Sequence, residues 1–228
     1  MSLEPIEHAG LRGHVARAGK TGVLLLPTIF GVNGFARDTA ETLAAHGFTT
    51  VIWDPYPGEP IPAAPPEGLK RSAAYSDAKA VGQARAWLDA MTGTLGLARI
   101  AYMGFCLGGR YGLLLAAHDP RLACGVSFYP SIEDPRRDNQ EEDVVALAAR
   151  IACPVQVFYP YGDHVTKRAT FLKLDAALKE ARPATNTLVF PEAGHSFLEH
   201  PERATAADKK AAATAWPQAL AFLDAYLT

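Results

Sequence analysis

The sequence predicts an α/β fold in which a mostly parallel central sheet carries helices on both faces. Three observations predict it. Strand-like and helix-like apolar patterns alternate after residue 20. Two early strand runs, Val23-Leu24-Leu25-Leu26 and Thr49-Thr50-Val51-Ile52-Trp53, carry almost no polar alternation, as expected of strands covered on both sides. The chain is 228 residues long and 49% hydrophobic, enough for one sizeable core, with no repeat, low-complexity tract or linker. Residues 1–228 are therefore expected to form a single domain.

Residues 3–18 read as one or two short edge strands. After the first buried strand, a helix from about Asn33 to His46 places Phe35, Ala40, Leu43 and Ala44 on one face, and Gly47 stops it. The Thr49–Trp53 strand follows. A second helix, about Ala74 to Met91, shows Val81, Ala84, Trp87, Leu88 and Met91 at helical spacing. Gly125–Tyr129, Val155–Tyr159 and Thr187–Phe190 are further strands. Phe171, Leu174 and Leu178 mark another helix, and Trp216, Leu220, Leu223 and Leu227 the last, which Pro217 starts or kinks. Residues 55–66 are proline-rich and read as a stiff non-helical loop; residues 131–143 are dense in charges of both signs. Each follows the C-terminal end of a strand, the rim where open α/β sheets bind ligands.

The chemistry concentrates at Gly104-Phe105-Cys106-Leu107-Gly108-Gly109. An apolar run, Arg99 to Met103, precedes it and a helical one, Arg110 to Ala117, follows. Strand, sharp turn and helix around G-x-C-x-G is the pattern of a nucleophile elbow. The turn holds its central residue in a strained conformation, and side chains at the flanking glycines would clash where strand and helix cross. The thiol then lies at a helix N-terminus, where the dipole and unpaired N–H groups favour the thiolate.

Downstream, the strand Val155–Tyr159 empties into Tyr161-Gly162-Asp163-His164, and Thr187–Phe190 into Glu192-Ala193-Gly194-His195-Ser196-Phe197. Nucleophile, acid, then histidine is the chain order of α/β hydrolases. Asp163 is thus the expected orienting acid and His195 the expected base, although Asp163 also suits a cap for a helix beginning near Thr166. His164 reads as a neighbour of the acid, and His200 as a residue on exposed chain before Pro201.

Phe30-Gly31-Val32-Asn33, Gly104-Phe105-Cys106-Leu107-Gly108-Gly109, Gly162-Asp163-His164 and Gly194-His195-Ser196-Phe197 together resemble the dienelactone hydrolase family from about residue 22 to the C-terminus. The resemblance implies a single-domain α/β hydrolase with a Cys106–His195–Asp163 triad and an oxyanion hole from the N–H groups of Ile29 and Leu107. It implies a small ester or lactone as substrate. Thr28, Phe30, Phe105, Tyr129, Ser196 and Phe197 flank the motifs and are expected to form the substrate pocket.

Two positions depart from the family pattern. Type members carry a Glu where this chain has Thr28, and an Arg, for a substrate carboxylate, where it has Glu199. A carboxylate in the same pose would meet repulsion, and Lys70, Arg71 or Arg110 are candidate replacements for that arginine. Without the Glu, a Cys106–His195 ion pair is expected to persist in the absence of substrate.

A formal net charge of −2 argues against a nucleic-acid partner. No apolar run approaches the ~20 residues of a membrane span, and the N-terminus lacks a signal-peptide pattern. The expectation is a cytoplasmic protein, a monomer or weak homo-oligomer, without cofactor or metal. Cys124 and Cys153 read as inert core thiols. Three readings follow: a cysteine-dependent hydrolase of small esters or lactones, a true dienelactone hydrolase, and a non-catalytic ligand-binding or thiol-sensing descendant.

Overall fold

A computed structural model describes residues 3–181 and 183–228. Its elements are β1 Glu4–His8, β2 Leu11–Ala16, β3 Thr21–Leu26, α1 Gly34–Ala45, β4 Thr49–Trp53, α2 Pro65–Ser72, α3 Asp77–Asp89, β5 Arg99–Phe105, α4 Leu107–His118, β6 Leu122–Phe128, α5 Val144–Leu147, β7 Val155–Gly162, α6 Arg168–Glu180, β8 Thr185–Gly194 and α7 Ala206–Leu227. The eight strands form one sheet in the order β1-β2-β4-β3-β5-β6-β7-β8. β1 and β2 pair antiparallel, as does β2 with β4; every other pairing is parallel. From β3 the chain goes first to β4 on one side and later to β5 on the other. The strand order therefore reverses between β3 and β5, which opens a crevice at their C-terminal ends.

The expected elements are present, with several differences, among them the short helix α5, which no apolar period signals. A further helix, α2, occupies the end of the proline-rich stretch: Pro65 sits in its first turn, where a missing N–H costs nothing. The helix expected from Ala74 begins instead at Asp77, because the Ser76 hydroxyl accepts from the Lys79 N–H and caps it there. Pro217 neither starts nor ends α7. The helix runs through it, having begun at a capping box between Thr205 and Asp208.

Tyr102 fixes α4 against the sheet. Its ring is fully buried and its hydroxyl lies 3.0 Å from Ser127 Oγ, which in turn donates to the Gly109 carbonyl at 3.1 Å. The ring fits only because Gly112 and Gly125 face it: a Cβ at either would lie 2.2 Å or 1.9 Å from its carbons. Replacing a mid-helix glycine by alanine ordinarily stabilises a helix by about 0.5–1 kcal/mol. Gly112→Ala is expected to do the reverse here, lowering stability by about 1–3 kcal/mol in urea unfolding through overpacking. Tyr102→Leu in the same chain should recover part of the loss.

Candidate active site

The turn between β5 and α4 is as tight as its glycines suggest. A Cβ on Gly104 would lie 2.3 Å from the Gly108 carbonyl oxygen, and one on Gly108 2.0 Å from that of Leu26. No side chain fits at either position. Between them Cys106 adopts φ 53°, ψ −115°, a strained geometry for a residue with a Cβ. Backbone bonds hold it there. Its N–H donates to Phe128 O at 3.0 Å, and its carbonyl accepts from Arg110 N–H at 3.2 Å and Ser131 N–H at 2.9 Å.

Strand register brings the acid and the histidine together. Gly162 of β7 pairs with Gly194 of β8, so Asp163 and His195 leave neighbouring strands side by side. Asp163 Oδ2 lies 2.8 Å from His195 Nδ1. Its other oxygen, Oδ1, accepts from the N–H groups of Val165 at 2.7 Å and Thr166 at 3.0 Å. Asp163 does not cap a helix: α6 begins only at Arg168, after Lys167 and with no side-chain cap, and while one Asp163 oxygen holds the imidazole the other holds the turn ahead of that helix.

His195 Nε2 is buried without a hydrogen-bond partner. Burial by itself lowers the imidazole pKa, but the negative charge of a Cys106 thiolate and the bond to Asp163 outweigh it and raise the pKa to about 10. The sulfur raises it by its proximity as well as by charge, although Nε2 makes no aligned hydrogen bond to the sulfur. The aligned partner of Cys106 Sγ is Ser131 Oγ, at 3.1 Å. This differs from the expected Cys106–His195 pair, because the hydrogen-bond partner of the sulfur is a serine.

Sequence reasoning did not single out Ser131, which lies inside the charge-rich stretch 131–143. Thr166 clamps the chain on either side of it, donating to Pro130 O at 2.7 Å and accepting from Ile132 N–H at 2.8 Å. Since Asp163 holds Thr166, the acid loop reaches the nucleophile by two routes, through His195 and through Thr166 and Ser131.

Cys106 and His195 open onto a cavity of about 550 Å³ that Thr28, Ile29, Phe30, Leu107, Ser196 and Phe197 also line. The N–H groups of Ile29 and Leu107 have no acceptor among the described residues, and the first turn of α4 leaves that of Leu107 free. Phe105 and Tyr129 are not in the lining. Phe105 is 1% exposed and stacks on Phe128 with ring centres 4.9 Å apart. Tyr129 is fully buried and packs edge-on against His195 and Phe197, each at 5.2 Å, so it walls the base from behind. Both belong to the core because the ends of β5 and β6 direct them between the sheet and its helices.

None of the cations considered as arginine replacements reaches the cavity. Arg110 is fully buried against Asp77 with Nε at 3.0 Å, and Arg71 is held by Glu59 and Glu67. Among the described residues, the arginines at the cavity are Arg137, which pairs with Glu133, and Arg203, with Glu202 at 3.4 Å. His200 also lines the cavity instead of lying on exposed chain. The two departures noted in the sequence meet each other: Thr28 Oγ1 donates to Glu199 Oε1 at 2.9 Å. Cys124 and Cys153 are buried, and burial pushes both thiols up to about 12. No helix among the described residues is long and apolar enough to cross a membrane.

Residues 10–227 match the Dienelactone hydrolase family. A relative from Escherichia coli (strain K12), named for carboxymethylenebutenolidase activity, is 28% identical over 183 residues, 77% of this chain and 66% of its own length. The chain thus spans just under two thirds of that protein. The carboxymethylenebutenolidase of Rhodococcus opacus is 27% identical over 220 residues, 90% of this chain and 81% of its own. A crystal structure from Klebsiella pneumoniae, solved under the dienelactone hydrolase name, superposes with a TM-score of 0.82 at 24% identity, covering 99% of this chain and 98% of that one.

Because the folded-state pKa of His195 lies above its ordinary 6.5, its charge stabilises the fold fully below 6.5, and that contribution is lost as pH rises through about 10. Cys106→Ala removes the larger of the raising influences. Histidine NMR should therefore show His195 titrating at lower pH in the variant, and the alkaline loss of stability should shift down with it.

Proposed function

This chain belongs to the dienelactone hydrolase family, and from that premise we propose that it hydrolyses small carboxylic esters or lactones with Cys106 as nucleophile. One observation carries the reading. A cysteine held at φ 53° shares a cavity with a histidine whose Nδ1 is bonded to a buried aspartate and whose Nε2 is unpartnered.

The Cys106 thiolate attacks the ester carbonyl; the S–C bond forms and the carbonyl electrons move onto oxygen. The N–H groups of Ile29 and Leu107 receive that oxyanion, and removing one such donor typically costs ~3 kcal/mol. Collapse breaks the C–O bond, and the departing alkoxide takes the proton from His195 Nε2. Water then gives a proton back to Nε2 as its oxygen attacks the thioester, the S–C bond breaks and the carboxylic acid leaves. Asp163 keeps Nδ1 protonated throughout, so that Nε2 is the nitrogen that exchanges protons. Before substrate arrives, Ser131 holds the sulfur.

A second reading, a true dienelactone hydrolase, is favoured by the names of the relatives. It requires a cation for the substrate carboxylate, and Arg137 and Arg203 at the cavity are the available ones. Steady-state hydrolysis of p-nitrophenyl acetate and a dienelactone, side by side, separates the two. The first reading expects the neutral ester to be turned over at a rate comparable to the lactone or faster; the second expects the lactone to dominate. Cys106→Ala should abolish turnover of both, and persistence would remove Cys106 from the mechanism. Absence of turnover on either substrate in the wild type would favour a binding or thiol-sensing role.

Ser131→Ala removes a hydrogen bond to the sulfur that the proposed mechanism uses as a thiolate, of a kind then worth about 1.5–3 kcal/mol. It is expected to lower kcat/KM by about tenfold or more, with Ser131→Thr retaining more activity than Ser131→Ala.

A further inference from the structure

Glu199 is a carboxylate held inside the cavity by neutral groups. It is only 6% exposed, and its Oε1 accepts from Thr28 Oγ1 at 2.9 Å and Asn33 Nδ2 at 3.1 Å. Neither donor is free to turn away. Thr28 Oγ1 itself accepts the Phe30 N–H at 3.3 Å, and its single proton is committed to Glu199. Asn33 Oδ1 accepts the Ala36 N–H at 3.0 Å, capping α1, which fixes the amide so that its NH₂ faces the carboxylate. The Glu199 N–H is tied in turn to Ser196 O at 2.9 Å.

No cation completes this arrangement. Among the described residues Glu199 has no ion pair, and His200 and Arg203, which line the same cavity, pair with Glu202 instead. The second oxygen, Oε2, has no hydrogen-bond partner yet is not fully sealed by protein atoms, and Glu199 lines the cavity. A buried carboxylate satisfied on one oxygen, by neutral donors alone, is left short of compensation. A donor arriving with the substrate would supply it, and a charged donor would supply most. The location matters, because Thr28 directly precedes Ile29, whose N–H faces the developing oxyanion in the proposed reaction.

We propose that Glu199 is the specificity-determining group of this site, accepting on Oε2 an ammonium donor carried by the acyl part of the ester and excluding acyl groups that carry a carboxylate. This assignment rests on the hydrolase reading for its substrate class, but its electrostatic part can be measured without turnover. Cys106 is modified with 2-aminoethyl and 2-sulfonatoethyl methanethiosulfonate, and the ratio of the two rates is compared between variants. Cys106→Ala supplies the blank, and of the three buried thiols only Cys106 lines the cavity. The thiolate itself favours the cationic reagent, so the change in ratio on substitution is the readout. Glu199→Gln and Glu199→Ala should each lower the ratio by about tenfold, while Glu199→Asp, which keeps the charge, should retain most of it.

In the turnover arm, wild type should prefer alanine p-nitrophenyl ester over mono-p-nitrophenyl succinate, and Glu199→Gln should bring the two kcat/KM values together. A reagent ratio that is unchanged in both neutral variants overturns the assignment, whatever the enzyme hydrolyses. If the ratio falls as expected but Cys106→Ala hydrolyses the esters as fast as wild type, the nucleophile assignment fails while the charge selection by Glu199 stands. If Cys106→Ala is inert and the ratio does not move, the hydrolase reading stands and Glu199 has no part in selection.

Discussion

Gly108 comes so close to the end of β3 that a Cβ there would touch the Leu26 carbonyl oxygen at 2.0 Å, and Gly104 is as closely pressed against Gly108. The rest of the site depends on this crossing. It forces the single residue at the apex, Cys106, to turn the chain at a positive φ, and so aims its side chain out of the sheet. It also brings the first turn of α4 against the end of β3, which puts Leu107 and Ile29 on the same cavity. The Tyr102 slot, closed by Gly112 and Gly125, anchors the helix one turn further on. Two packing constraints with no chemistry of their own thus set where the thiol stands.

Strain recurs where the other loops converge. Tyr129 and Ser196, like Cys106, are non-glycine residues at positive φ, 37° and 63°. They lie after β6 and β8, at the rim where the parallel strands end. Each costs some backbone energy, and the surrounding hydrogen bonds hold them in place. The Tyr129 N–H is tied to Phe158 O at 2.8 Å, and the Ser131 N–H to Cys106 O at 2.9 Å. Around Ser131 these ties form a closed circuit in which Asp163 holds Thr166, Thr166 grips both sides of Ser131, and Ser131 meets the sulfur. The acid loop and the elbow are consequently positioned relative to one another without relying on the histidine alone.

The electrostatics of the cavity follow from the same convergence. Burial, and after it the neighbouring Glu199, Cys106 and Asp163, push the hydroxyl pKa of the fully buried Tyr129 well above the ordinary value. His195 answers two of them in the opposite direction, with its own pKa raised. Glu199 is met only by the neutral Thr28 and Asn33, which leaves it at the cavity without a counter-charge among the described residues.

The sequence by itself determined the alternation of strands and helices, the elbow around Cys106, and the order in which Asp163 and His195 follow it. These features are local: apolar period, glycine spacing and strand-to-loop transitions are all written within a few consecutive residues. Start and stop signals were legible only where they were strong, so Gly47 ended α1 as expected while the Ser76 and Thr205 caps went unread. Tertiary structure decided the rest. Which oxygen of Asp163 does what depends on the pairing of Gly162 with Gly194, and whether Phe105 and Tyr129 meet a ligand or the core depends on how neighbouring strands face. Ser131 stands 25 residues from Cys106, and Glu199 stands 171 from Thr28. Contacts across such separations are fixed by strand order and register, which no local pattern encodes. The two substitutions that look like separate losses along the chain are, in three dimensions, a single hydrogen bond.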